Sequence, residues 1–215
     1  MSLTLYYHPL SSFCWKVLIA LYENDTPFKP AVVNLMDPAE RANFLKLWPV
    51  GKFPVIADEA RGRTVPESSI IIEYLSRHYP GKTQLIVPES GHPSEMRKWD
   101  RILDLHLHLA MQKVVGDKLR PEGSKDPYGV EQAKAAIRTT LDLIEEHIAG
   151  KQWMMGEAFT MADCAAAPPL FYVDKILPFG GTHKQTAAYL ERLKARPSFA
   201  RVLKEAEPYF KMFPG

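Results

Sequence analysis

Apolar positions repeat with two different periods along the chain, and the change falls near Pro80. Before it, short alternating runs are interleaved with helical ones. Leu3 to Tyr7 alternates over a few residues and reads as a strand. Phe13, Val17, Ala20 and Leu21 recur at helical spacing, behind Ser11 or Ser12 as N-cap. Phe28 to Leu35 is β-branched enough for a second strand. Asp37-Pro38-Ala39-Glu40 supplies a capping side chain, a proline at the first helical position and an acid placed to close a capping box. Phe53 to Ala57 and Thr64 to Val65 read as short strands around a turn, and Glu67 to Tyr79 as a helix stopped by Pro80-Gly81. The predicted order is βαβαββα.

After Pro80 only helical patterns remain. Pro88, Gly91 and Pro93 break periodicity and mark a linker. Ser94 to about Val115 is one long amphipathic stretch, and Asp126-Pro127 starts a helix that ends at Gly150. Thr160 to Tyr172 is apolar nearly all round, which predicts a buried central helix. Thr160 and Asp163 have capping-box spacing, a structural device for the orphan N–H groups of a buried helix start. Thr186 to Arg196 and Ser198 to Ala206, separated by Pro197, complete a bundle. The expected architecture is an α/β N-terminal domain over residues 1–81, a linker over 82–92, and an all-α domain over 93–215.

Composition narrows the function classes. Of 215 residues, 46% are hydrophobic and 24% charged, which suits a water-soluble globular protein. A net charge of +2 gives no reason to expect nucleic acid or an anionic membrane as partner. Cys14 and Cys164 are too few for a disulfide framework and too far apart in sequence for a close metal pair, so a reducing compartment is expected. The N-terminus lacks the pattern of a signal peptide, and no uncharged stretch approaches the roughly 18 apolar residues of a membrane span. A cytoplasmic protein without metal is the expectation.

Three short motifs carry chemistry. Ser11-Ser12-Phe13-Cys14 opens a helix, Gly51-Lys52-Phe53-Pro54-Val55-Ile56 puts a proline at the head of a strand, and Glu67-Ser68-Ser69 opens another helix. A proline there cannot donate to a ladder and belongs at an edge or in a cis turn, leaving the Phe53 backbone to pair with an extended peptide. A hydroxyl at one helix start and an acid–hydroxyl pair at another suit a peptide thiol. In this order, and with Phe159-Thr160-Met161-Ala162-Asp163 downstream, the chain from about Leu3 to Arg201 resembles the cytosolic glutathione S-transferases. Its pattern is nearest to the serine-type zeta and tau classes. Those proteins join a thioredoxin-like domain to a helical one.

The resemblance implies glutathione as substrate or cofactor, a small electrophilic second substrate and a homodimer. It places Ser11 as thiolate donor, with Ser12 and Cys14 as alternates. Glu67 and Ser68 would take the γ-glutamyl end, Phe53 the cysteinyl backbone beside a cis Pro54, and Lys52 the glycine carboxylate. The acceptor pocket is expected near Tyr7, His8, Pro9, Leu10, His106 and Met111. Asp100 or Asp104 is a candidate for reaching a partner subunit's glutathione. A free thiol has a pKa of about 8.5, so the site must favour the thiolate, by a hydroxyl donor and a helix N-terminus. Two other functions fit the resemblance. One is a maleylacetoacetate-type isomerase or a peroxidase, although Cys14 lies one residue late for the isomerase class, and Lys16 and Leu18 stand where it has arginines. The other is a non-catalytic interaction module.

Overall fold

A computed structural model describes residues 2–214. Strands β1 (Leu3–Tyr7), β2 (Lys29–Val32), β3 (Val55–Asp58) and β4 (Arg63–Pro66) form one sheet in the order β2-β1-β3-β4. β1 pairs in parallel with β2, opposing Thr4 to Lys29, and antiparallel with β3, opposing Leu5 to Ile56. A parallel neighbour requires a crossover, which α1 (Ser12–Glu23) provides. The alternation read in β1 has its expected result. Leu3 and Leu5 join the main core with α1 and α3 (Ser68–His78), whereas Tyr6 turns to the other face, against Val33, Val55 and Phe44 of α2 (Pro38–Leu47).

Two local expectations need correction. The second strand is shorter than Phe28 to Leu35 and is mostly exposed, because it is the edge of the sheet. At the start of α2 the Asp37 carboxylate does accept from the N–H groups of Ala39 and Glu40, both at 2.9 Å. Glu40, however, accepts from the Asn34 N–H at 2.8 Å and does not close a box on Asp37.

The later helices are α4 (Pro93–Ile102), α5 (Leu109–Lys118), α6 (Pro127–Ile148), α7 (Met161–Ile176), α8 (Lys184–Ala195) and α9 (Pro197–Ala206). Residues Leu103–His108, between α4 and α5, form a π-helical stretch within one continuous helical path. α7 is buried as its pattern predicts. The Asp163 carboxylate accepts the Thr160 N–H at 2.8 Å, the Met154 N–H at 2.8 Å and the Tyr189 hydroxyl at 2.7 Å. Burial pushes its carboxyl up to about 6. The helix runs four residues past the predicted end and contains Pro168 and Pro169. A proline in a helix interior removes one backbone bond. Here both rings lie in the core, and apolar burial outweighs the loss.

α1 joins the two parts. Trp15 is fully buried, its indole 4.8 Å from the Tyr172 ring of α7 and 6.0 Å from Phe199 of α9. At the far end of α1, the buried Glu23 receives both Nε and Nη2 of Arg196 at 2.7 Å, together with the Ser198 hydroxyl and the Thr83 hydroxyl. Among the described residues no helix is long and apolar enough to cross a membrane.

Candidate functional site

The site begins where β1 ends. The chain turns at His8, with the Ser11 N–H donating to the His8 carbonyl at 2.9 Å, and α1 follows directly. Ser11 is the N-cap residue, in an extended conformation, but its side chain makes no capping hydrogen bond to the helix among the described residues. A hydroxyl at this position ordinarily caps. At Ser11 it is left half-exposed at the positive end of the helix instead.

The neighbouring hydroxyl is held. Ser12 is buried, and its Oγ lies 2.5 Å from Nε2 of His108, at the end of the π-helical stretch. The His108 ring is fully buried and stacks on Phe13 with a centroid separation of 3.7 Å. Burial, with the nearby Lys16 charge, holds the imidazole well below its usual pKa, so it is neutral. Cys14, the third candidate, is fully buried, and burial pushes its thiol up to about 12. A thiol in that state is not a nucleophile at neutral pH.

Lys52, Phe53, Pro54, Glu67 and Ser68 all line one cleft of about 560 Å³. The Phe53–Pro54 peptide is cis. Glu67 has φ 69° and ψ 118°, a left-handed conformation that a non-glycine residue adopts at a cost of about 1–3 kcal/mol and that is concentrated at functional sites. It leaves the Glu67 carboxylate exposed at the start of α3, beside the buried Ser68.

The cleft floor holds a buried charge cluster. Lys16, in the middle of α1, is 0% exposed, with its ammonium 2.6 Å from Asp100 and 2.8 Å from Asp104. Ser69 accepts from Lys16 at 2.8 Å and donates to Asp100 at 2.8 Å. Burial raises the Asp104 carboxyl, and the Lys16 charge opposes it. Both aspartates are thus paired within their own chain, a partner that reading them toward a second subunit did not include.

A second cavity, of about 440 Å³, is lined by His8, Leu10, Ser11, Ser12, Met111 and Tyr172, among others. It adjoins the first: His8 stacks on Phe53 at 6.2 Å, one ring from each lining. Of the residues expected at an acceptor pocket, His8, Leu10 and Met111 are there. Tyr7 and Pro9 line a separate groove with Trp15 and Tyr22, because β1 alternates and α1 stands between. His106 is exposed and lines neither cavity. Sequence reasoning noted His108 on the long helix but not its contact with Ser12, and it gave no place in the site to Lys16 or to Tyr172, whose hydroxyl donates to the Leu10 carbonyl at 2.9 Å. Lys16 did leave a signal. A lysine inside an otherwise apolar helix calls for a buried acid, and Asp100 and Asp104 have the i,i+4 spacing to share one face.

Residues 5–83 match the model of the glutathione S-transferase N-terminal domain, and residues 127–205 that of the C-terminal domain. The chain belongs to the glutathione S-transferase family. It is similar to glutathione S-transferase F13 of Arabidopsis thaliana, 27% identical over 94% of this chain and 95% of that protein. It is also similar to a stringent starvation protein A homologue of Haemophilus influenzae, 28% identical over 96% of this chain and 92% of that one. Among solved structures, a glutathione S-transferase of Methylobacterium radiotolerans in complex with glutathione sulfonate superposes with a TM-score of 0.81. It is 27% identical, over 93% of both chains.

Proposed function

We propose that the protein is a serine-type glutathione transferase, which binds glutathione as thiolate and adds it to small electrophiles. The observation that supports this most is the gathering of Lys52, Phe53, Pro54, Glu67 and Ser68 around one cleft that adjoins the Ser11 hydroxyl. The Glu67 carboxylate takes the ligand ammonium, and Ser68 with the first N–H groups of α3 takes the α-carboxylate. The Phe53 backbone pairs with the cysteinyl unit, and Lys52 meets the glycine carboxylate. The sulfur lies at Ser11, where one charge-assisted hydrogen bond and the α1 N-terminus favour the thiolate. The acceptor enters the second cavity, bordered by His8, Leu10 and Met111. Catalysis then consists of thiolate stabilisation and positioning. We place the two domains on either side of residues 82–92 and the protein in the cytoplasm as a homodimer.

The likeness to a stringent starvation protein A homologue favours one other reading, an interaction module that does not turn over glutathione. An ultraviolet difference titration separates them. Glutathione added at about pH 6.5, well below the free thiol's pKa, develops saturable thiolate absorbance in the wild type and loses most of it in Ser11→Ala. No binding at millimolar glutathione refutes the transferase reading.

A further inference from the structure

His108 is the buried polar group with the least obvious purpose. It is far in sequence from every motif above, yet it touches the second serine of the first one. Its Nδ1 is buried without a partner among the described residues, while Nε2 meets Ser12 Oγ. A neutral imidazole has one N–H to place. On Nδ1 it would be an orphaned buried donor, which proteins avoid more strictly than an unused acceptor lone pair. The proton therefore sits on Nε2, and His108 donates to Ser12. That arrangement occupies a lone pair of the Ser12 oxygen and leaves the Ser12 hydroxyl proton available. Ser12 lines the same cavity as Ser11.

The surroundings hold the ring in place and keep it neutral. Phe13 covers one face of the ring at 3.7 Å. The charged groups near it are Lys16 on α1, which helps keep the ring neutral, and Asp104 in the preceding turn, itself paired with Lys16. The π-helical stretch that ends at His108, with the Leu109 N–H bonded to the Asp104 carbonyl, is a widened turn of the kind that recurs at functional sites.

We propose that His108 is a positioning residue for the sulfur site: its Nε2–H holds the Ser12 oxygen, so that the Ser12 hydroxyl donates a second hydrogen bond, beside that of Ser11, to a bound thiolate. This rests on the glutathione transferase reading. Two hydroxyl donors on consecutive residues then cradle one anion, and a ring on a distant helix sets the direction of the second.

The test uses the full-length protein with glutathione and an activated chloronitrobenzene. Ser12→Ala and His108→Phe should each raise the apparent pKa of the bound thiol by about one unit, the scale of one hydrogen bond to a charged group. Both should lower kcat/KM about tenfold at pH 6.5 and much less at pH 9, where the thiol ionises unaided. The double variant should lose little more than either single one, since the two residues act as a unit. His108→Gln, which can present an amide N–H to Ser12, should recover most of the shift. A structural role for His108 would lower the Tm without moving the thiol pKa. If His108→Phe does not fold, Ser12→Ala carries the same readout. An unchanged thiol titration and pH profile in Ser12→Ala, or in folded His108→Phe, overturns the proposal while Ser11→Ala still perturbs the thiol. Absence of thiolate in the wild type overturns both this proposal and the transferase reading.

Discussion

Replacing Lys16 with methionine isolates the energetics of the buried cluster under the cleft. The side chain is fully buried, and its ammonium serves Asp100, Asp104 and Ser69. Methionine fills similar space, so the loss is electrostatic. Breaking a buried pair by removing one partner costs about 3–5 kcal/mol. In the wild type, burial raises the Asp104 carboxyl, Lys16 pulls it down and Asp100 pushes it up. Without Lys16 the two larger remaining influences, burial and the Asp100 charge, raise it further, opposed only by the smaller effect of the Arg101 charge. The folded variant then holds a proton that the unfolded chain, with an ordinary aspartate pKa of about 3.9, does not. Because the folded state binds more protons, stability rises as pH falls through that window, by up to about 1.4 kcal/mol per pH unit for one proton. Lys16→Met should therefore lose about 3–5 kcal/mol at pH 7 and only about 1–2 kcal/mol at pH 5. At 215 residues the loss at pH 7 corresponds to a fall in Tm of very roughly 6–20 °C. Urea titrations followed by circular dichroism at both pH values measure it. Lys16→Met/Asp104→Asn, compared with Asp104→Asn alone, should show a deficit that no longer depends on pH in this way. A deficit below about 1 kcal/mol at pH 7, or one equal at the two pH values, would refute the assignment of Asp104 as the responding group.

The remaining predictions concern the ends of α1 and α3. Burial by itself would raise the Glu23 carboxyl, but hydrogen bonds from Arg196 and Ser198 outweigh it and hold it below its usual value. Its contribution is present above the unfolded pKa of about 4.3 and is lost as pH falls through the lower folded value. Glu23→Ala should cost about 3–5 kcal/mol at pH 7, read by urea unfolding, with the gap to wild type closing in acid; a constant gap sinks the linkage argument. Glu67→Gln should weaken glutathione binding by about tenfold to a hundredfold, the loss of one bond between charged groups. Calorimetry reads this directly, and an unchanged Kd would remove Glu67 from the site. The thiolate titrations of Ser11→Ala, Ser12→Ala and His108→Phe complete the set.

What the chain determines by itself is what acts over a few residues. Alternation in β1, the Asp37 cap with Pro38 behind it, and the Thr160–Asp163 box are all legible, because each is an interaction within one turn or one strand. The family was legible through the order of three short motifs, since Ser11, Pro54 and Glu67 each sit at an element boundary that local sequence marks. Other features were decided by packing alone. Pro168 and Pro169 continue a helix that local propensity would end, because the site is buried on all sides. Tyr7 and Pro9 fall behind α1, not in the cavity that His8, Leu10 and Met111 line, because the twist and packing of the sheet set which face each end presents. Lys16 meets acids 84 and 88 positions downstream, and Ser12 meets a histidine 96 positions downstream. Neither pairing is written in any local period. Each exists because α1 packs beside α4 and the π-helical stretch that follows it, where low dielectric favours partners for buried polar groups from another element.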